Sequence, residues 1–399
     1  MLRRFPHAWL ESESVLARVV GRPVARFLQI EAAGGILVLA AAVIALVWAN
    51  GPWSESYEEL WRTVVSFEAG DRGVGEDLRH WVNDGLMTLF FFVVGLEIKR
   101  EVVSGQLSAG RAAALPVIAA AGGMVVPALV YLAFNRTGPG ADGWGIPMAT
   151  DIAFAVGVLA LLGRRVPPAL KVLLLGLAIA DDIGAIVVIA VVYTEDIDLV
   201  ALAFAGAGLV AIIGFRRARV SFAPAYVIVG FTVWLAVLES GVHATIAGVA
   251  LAFVTPAGPV GTRLEEQLHP WTSYLVVPLF ALANAGIPLS ADAVADAASS
   301  PVTLGVVLGL VVGKFAGITA ASALAVRLGV GRLPDGVRWD HVAGMAGIAG
   351  MGFTVSIFVT GLAFDDVRLQ SEAKIGILVA TAMAAVLGSA VLVRAGRRT

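Results

Sequence analysis

The hydrophobic pattern of this chain is neither the alternation of a surface strand nor the narrow stripe of a soluble helix. Apolar residues come in long runs separated by short polar connections. Most runs approach the roughly 20 residues that a helix needs to cross a bilayer. They predict spans near 28–49, 80–98, 112–134, 146–163, 172–192, 199–215, 222–238, 242–255, 271–287, 302–326, 341–364 and 373–393. Backbone polar groups find no partner in lipid, so such runs are read as helices. The expected fold is an all-α polytopic membrane protein of about twelve transmembrane helices, a single domain over 1–399 whose bundle fills 28–393.

The polar stretches add detail. The opening residues, MLRRFPHAWLESESVLARVV, lack a clean apolar core and carry Glu11 and Glu13, so they read as no cleavable signal, and the first span reads as an uncleaved anchor. Of the 28 Lys and Arg residues, 21 fall at the two termini and in the even-numbered loops, among them Arg3, Arg4, Arg18, Arg22, Arg26, Lys99, Arg100, Arg164, Arg216 and Arg398. Six fall on the other side and one, Lys314, lies inside a span. The positive-inside rule then places both termini in the cytoplasm of a bacterial-type inner membrane, which requires an even number of spans. In the long outer loop, 51–79, TVVSF followed by a Gly-rich turn reads either as a small hairpin or as an unstructured acidic loop.

Composition agrees: 58% of residues are hydrophobic and 15% charged, with a mean hydropathy of +0.87, against about half and a quarter in soluble domains. There is no cysteine, so disulfides and thiolate metal sites are excluded. The net charge of −2 says little, because the position of the charges matters more. Membrane lipid is the expected surrounding, with no nucleic-acid partner and no organic cofactor.

Charges inside the spans change the picture most. Asp84, Asp151, Asp181, Asp182 and Lys314 all lie there. Each costs about 2.5–3.5 kcal/mol on insertion scales. Structural ion pairing could account for some, but four carboxylates and one lysine cannot all pair. The remainder must be protonated, solvated in a cavity or bound to a cation. Asp181 and Asp182 sit mid-span in IADDIGAI and point about 100° apart on a helix, so one can meet a partner while the other faces a cavity. In GIPMATDIAFAVG, Pro147 and the cap-like Thr150-Asp151 suggest a helix that stops and restarts within its span. Gly350-Met351-Gly352 suggests a second interruption, although small residues also serve close helix packing. These are the middle members of spans 3–5 and 10–12, two triplets of opposite topology that fit an inverted repeat with two discontinuous helices crossing at mid-membrane.

Eight stretches then carry a resemblance: VNDGLMTLFFFVVGLEIKRE, ATDIAFAVGVLALLG, LAIADDIGAIVVIA, SGVHATIAGV, LEEQLHPW, PLFALANAGI, GKFAGI and GMGFTVSIF. Together, in order and nearly end to end, they resemble the NhaA-type sodium/proton antiporters. Interrupted helices in matching halves are themselves exemplified by that family, so the two observations are not independent. The resemblance implies a pH-regulated exchanger of sodium or lithium for protons, electrogenic, with a bundle domain and an interface domain. It implies that Asp182 is the chief cation ligand beside Asp181, and that Asp181 pairs with Lys314, a proton carrier. Asp151 and Thr150 match the broken-helix ion site, and Asp84 matches a carboxylate near the ion path. Glu97, Glu101, His243 and Glu265 match positions tied to pH response. A homodimer through the outer loop is also implied. Na+, Li+ and H+ are the cargo; no resident cofactor is implied. Two departures stand out: Phe315 replaces a common proline after the lysine of the GK motif, and Glu266 replaces a common histidine.

Two other readings fit the same charges. A sodium-coupled symporter of an organic solute would need a mid-membrane aromatic or arginine cluster, and the sequence shows none. An intramembrane aspartyl protease would need a GxGD motif, whereas the contexts here are ATD and ADD.

Overall fold

The computed structural model of the chain describes residues 33–69, 72–105, 111–194, 197–220 and 222–397. The start of the first span, the N-terminal cations Arg3 to Arg26, Arg398 and hairpin-turn residues 70–71 lie outside the described residues.

Helix α1 spans Ala33–Asn50, α2 Ser54–Trp61 and α3 Met87–Ser104. A short turn, Leu78–His80, and a π-helical segment, Trp81–Leu86, lead into α3. Strands β1 (Val64–Ala69) and β2 (Arg72–Asp77) settle the 51–79 loop as an antiparallel hairpin, in register from Val64 opposite Asp77 to Ala69 opposite Arg72. Helix α4 is Arg111–Phe134, and a 3-10 segment, Ala141–Met148, precedes α5, Ile152–Leu162. Next come α6 (Pro168–Val192), α7 (Leu199–Arg217), α8 (Ala223–Glu239) and α9 (Thr245–Val254). Helices α10 (Pro259–Trp271) and α11 (Val277–Asn284) are joined by a π segment, Thr272–Val276. The last elements are α12 (Ala291–Ser299), α13 (Pro301–Leu308), a π segment Gly309–Gly313, α14 (Lys314–Arg327), α15 (Trp339–Ile348), α16 (Phe353–Ala363) and α17 (Val367–Gly396).

Every predicted span falls on a helical stretch, but the stretches are unequal. Among the described residues, seven helices are long and apolar enough to cross a membrane, and α15 with α16, bent by 47° at their break, makes an eighth. The eighth predicted span is only the ten residues of α9: Gly241, at φ +78°, turns the chain before it, and Pro256 ends the possibility of continuing. The ninth predicted span is preceded by an amphipathic helix, Pro259–Trp271, that hydropathy passes over. The fourth predicted span opens in a 3-10 segment, Ala141–Met148, that ends three residues into it, and its α-helix begins at Ile152.

Helix starts follow their sequence signals. Asp198 caps α7 through Val200 N (2.7 Å) and Ala201 N (3.2 Å), and Asp366 caps α17 through Arg368 N (2.8 Å). Each such cap contributes about 1 kcal/mol. Helices α4 and α14 cross closely at Gly122 and Gly317, where any side chain would strike the facing backbone. That approach holds Lys314, the first residue of α14, deep in the bundle. The apolar core forms two large clusters. One gathers α1, α3, α11, α16 and the second half of α6. The other gathers α5, α15 and the first half of α6. Ala180 and Ala349 belong to the second cluster, and Ile179 and Phe353 to the first, so the interrupted helices and the aspartate pair lie on the seam between them.

Candidate functional site

Both breaks expected from the sequence are present, and they bind each other. After the 3-10 segment the chain runs extended through Ala149 to Asp151, and Asp151 caps α5 by accepting from Phe154 N at 3.1 Å. Across from it, α15 stops at Ile348 and α16 restarts at Phe353. Such ends expose amides and carbonyls that need partners. Asp151 N donates to Met351 O (2.6 Å), and Ser356 Oγ donates to Ile146 O (2.7 Å). Asp151 Oδ2 accepts from both Thr354 N (3.0 Å) and Thr354 Oγ1 (2.6 Å). One carboxylate therefore serves the N-terminal ends of two helices, where its charge complements both dipoles.

The adjacent aspartates of α6 have opposite surroundings. Asp181 and Lys314 are wholly buried, and Lys314 Nζ bonds Asp181 Oδ2 directly. Lys314 Nζ also donates to Thr150 Oγ1 at 2.9 Å. The Thr150 hydroxyl lies 2.7 Å from Asp181 Oδ2 and 3.0 Å from Ala349 O, with one proton to give between them. Breaking one member out of such a buried pair would leave an uncompensated charge. Asp182, by contrast, receives no hydrogen bond from any described residue. It faces a cavity of about 290 Å³ whose polar lining includes Thr150, Asp151, Thr354, Glu97, His269 and Asp182 itself. Oxygen donors on one wall and an unengaged carboxylate suit a hard monovalent cation or a proton.

The structure brings together three of the four residues that the resemblance ties to pH response. Arg100 Nη1 lies 2.8 Å from Glu265 Oε1, and its Nη2 lies 3.3 Å from Glu101 and 3.9 Å from Glu97. Burial pushes the Glu265 carboxyl up from its ordinary range, partly countered by Arg100 and reinforced by Glu97. His243 is elsewhere. It lines a second cavity of about 470 Å³ with Asp142, Tyr193 and Asp365, not the one that reaches Asp182. Asp84 is also apart: it sits in the π segment before α3, about 20 Å along the helix from Glu97, where its backbone carbonyl accepts from Thr88 Oγ1 and Trp234 Nε1. Sequence reasoning missed Thr354 and His269 as cavity residues; it set Arg100 beside Glu97 and Glu101 as a charge cluster but did not bring Glu265 to it. Thr354 had a signal, two residues beyond the Gly-Met-Gly break, where a restarting helix needs a capping group.

Comparison with known sequences decides the lineage. A sequence model of the family described as Na+/H+ antiporter 1 matches residues 25–392. The chain belongs to the NhaA family of sodium/proton antiporters. It is 47% identical to the Na(+)/H(+) antiporter NhaA 2 of Pseudomonas savastanoi pv. phaseolicola, over 97% of this chain and 98% of that protein. It is 44% identical to the NhaA antiporter of Syntrophobacter fumaroxidans, over 97% of this chain and 94% of the other. Identity to NhaA 3 of Frankia alni is also 44%, over 95% and 90% respectively. As a member of the NhaA family with spanning helices throughout, the chain is a multi-pass membrane protein.

Proposed function

We propose that this chain is a secondary transporter that exports sodium or lithium in exchange for protons. The observation that carries the reading is the contrast at the aspartate pair: Asp181 is closed off by Lys314 and Thr150, while Asp182 is buried, without a donor among the described residues, and open to a cavity. A buried carboxylate in that position is costly as a bare anion, so it takes a proton or a cation. Competition between the two at one site is sufficient for exchange. Each face of the membrane loads the site with whichever ion is abundant there, and the empty charged site does not cross.

Thr150 and Asp151 border the ion from the broken-helix side, and carbonyls near the breaks complete an oxygen shell. Access alternates as a bundle domain carrying the crossed helices moves against an interface domain, a mode this family itself exemplifies. Spans 3–5 and 10–12 form the inverted repeat behind the crossing. The Asp181–Lys314 pair carries a further proton, so more than one proton enters per sodium. Each net charge is then driven by about 2.3 kcal/mol per 100 mV. Asp84 lies on the outer part of the ion path, and Glu97, Glu101, Glu265 and His243 adjust activity upward as cytoplasmic pH rises. The protein sits in the inner membrane with both termini cytoplasmic and pairs through its outer hairpin as a homodimer. Its cargo is inorganic, with no resident cofactor.

The test uses everted vesicles containing a pH-sensitive dye, energised and then given sodium or lithium over a pH series. The wild type should dissipate the proton gradient and Asp182→Asn should not, although it inserts and purifies normally. Dissipation by Asp182→Asn at wild-type rates would remove Asp182 from the mechanism. Silence of the wild type at every pH would remove the antiport reading itself.

A further inference from the structure

Asp151 borders the same cavity as Asp182 but is held quite differently. Its Oδ1 accepts from Phe154 N and its Oδ2 from Thr354 N and Thr354 Oγ1. The two amides belong to helix ends that the fold fixes in place. The hydroxyl is the one donor a side chain supplies, and at 2.6 Å it makes the shortest of the three contacts. Thr354 itself lines the cavity. It is also the second residue of α16, and threonine on a helix has more than one accessible χ1 well. Rotation of the hydroxyl away would leave Asp151 Oδ2 with the Thr354 amide alone and free one of its lone pairs for the cavity, with no movement of the backbone.

We propose that Thr354 determines the affinity of the ion site: its hydroxyl withholds Asp151 Oδ2 from the cation and leaves Asp182 as the anionic ligand. The inference rests on the antiport reading above. Its logic is that of any carrier, where the ion must be held well enough to enter and loosely enough to leave. Two free carboxylates would give a monovalent cation an excess of negative oxygen and slow its release. The hydroxyl competes with the ion for one carboxylate oxygen, and a hydrogen bond to a charged group is a competitor of useful size.

The test is isothermal titration of purified full-length protein with sodium chloride and with lithium chloride at one alkaline pH. Thr354→Val keeps the shape and the amide but removes the hydroxyl, and should lower the sodium Kd by up to about tenfold. Thr354→Ala repeats the measurement without the added methyl. Thr354→Ser keeps the donor and should restore the wild-type constant. The decisive arm is Asp151→Asn: in that background Thr354→Val should change nothing, because no carboxylate is left to release. A Kd that rises in Thr354→Val would make the hydroxyl an ion ligand and overturn the proposal, as would an unchanged Kd or an effect that survives Asp151→Asn. The antiport reading fails separately, if the wild type binds neither cation or if Asp182→Asn binds both as the wild type does.

Discussion

Two clusters of carboxylates around a cation lie at different depths in this molecule, and they are built for opposite purposes. Where the two broken helices meet, Lys314 contacts Asp181 with no exposure of either and with Thr150 bonded to both. Near the end of α3, Arg100 meets Glu97, Glu101 and Glu265 with its own side chain 39% exposed and contact distances spread from 2.8 to 3.9 Å. The inner cluster has partners fixed by backbone geometry and no water to replace one that is lost. The outer cluster shares one guanidinium among three acids and is screened by solvent and salt. Identical chemistry thus gives an all-or-none element in one place and a graded one in the other.

The contrast breaks most sharply at Lys314. Lys314→Ala leaves Asp181 buried and unpaired, which should cost about 3–5 kcal/mol of stability. A fall in melting temperature in detergent, at a pH where the aspartate is ionised, checks it. The double variant Lys314→Met with Asp181→Asn should recover much of the loss, because a buried ion pair replaced as a unit by neutral groups costs little. If the single variant melts at the wild-type temperature, the inner cluster is as loosely held as the outer one and the comparison collapses.

How much of this could be read beforehand depends on the range of the interactions. Spans were legible because each helix satisfies its own backbone, so local hydropathy reports it; the amphipathic α10 was not, because its hydropathy departs from that rule. The breaks were legible because Pro147, Thr150, Asp151 and the Gly350-Met351-Gly352 run carry local signals. That Lys314 pairs with one aspartate was inferable, as the one mid-span cation among four acids; that the partner is Asp181 came only from the family resemblance. The Asp151–Thr354 contact was not, because it joins residues 203 apart: the Gly-Met-Gly break flags Thr354 as part of a helix start, but no local signal names Asp151 as its partner. The convergence on Arg100 was equally hidden: Glu265 comes from α10, and only the packing of that helix on α3 brings it there. His243 had been grouped with those acids, and the fold separates it from them.

The outer cluster should respond more weakly. Arg100→Ala removes the shared cation and leaves three acids facing one another. Because the guanidinium is partly solvated, the loss should be about 1 kcal/mol, larger at low salt than at high. Melting curves at two ionic strengths check both parts, and a loss as large as that of Lys314→Ala would mean that Arg100 is structural in the same sense.

The smallest effect, and the one that best sharpens the contrast, belongs to Glu265. Burial raises its carboxyl above the ordinary value, so the folded protein binds that proton more tightly than the unfolded chain does. The stability so contributed is present at acid pH and is lost as pH rises through the folded value. Glu265→Gln stays neutral throughout and should escape that loss. The melting temperature of the wild type should therefore fall relative to Glu265→Gln as pH is raised from acid to neutral, by an amount worth less than about 1 kcal/mol after screening. A difference that runs the other way would mean that the Arg100 contact outweighs burial, so that Glu265 gains from ionising and the rim behaves as a small copy of the inner pair.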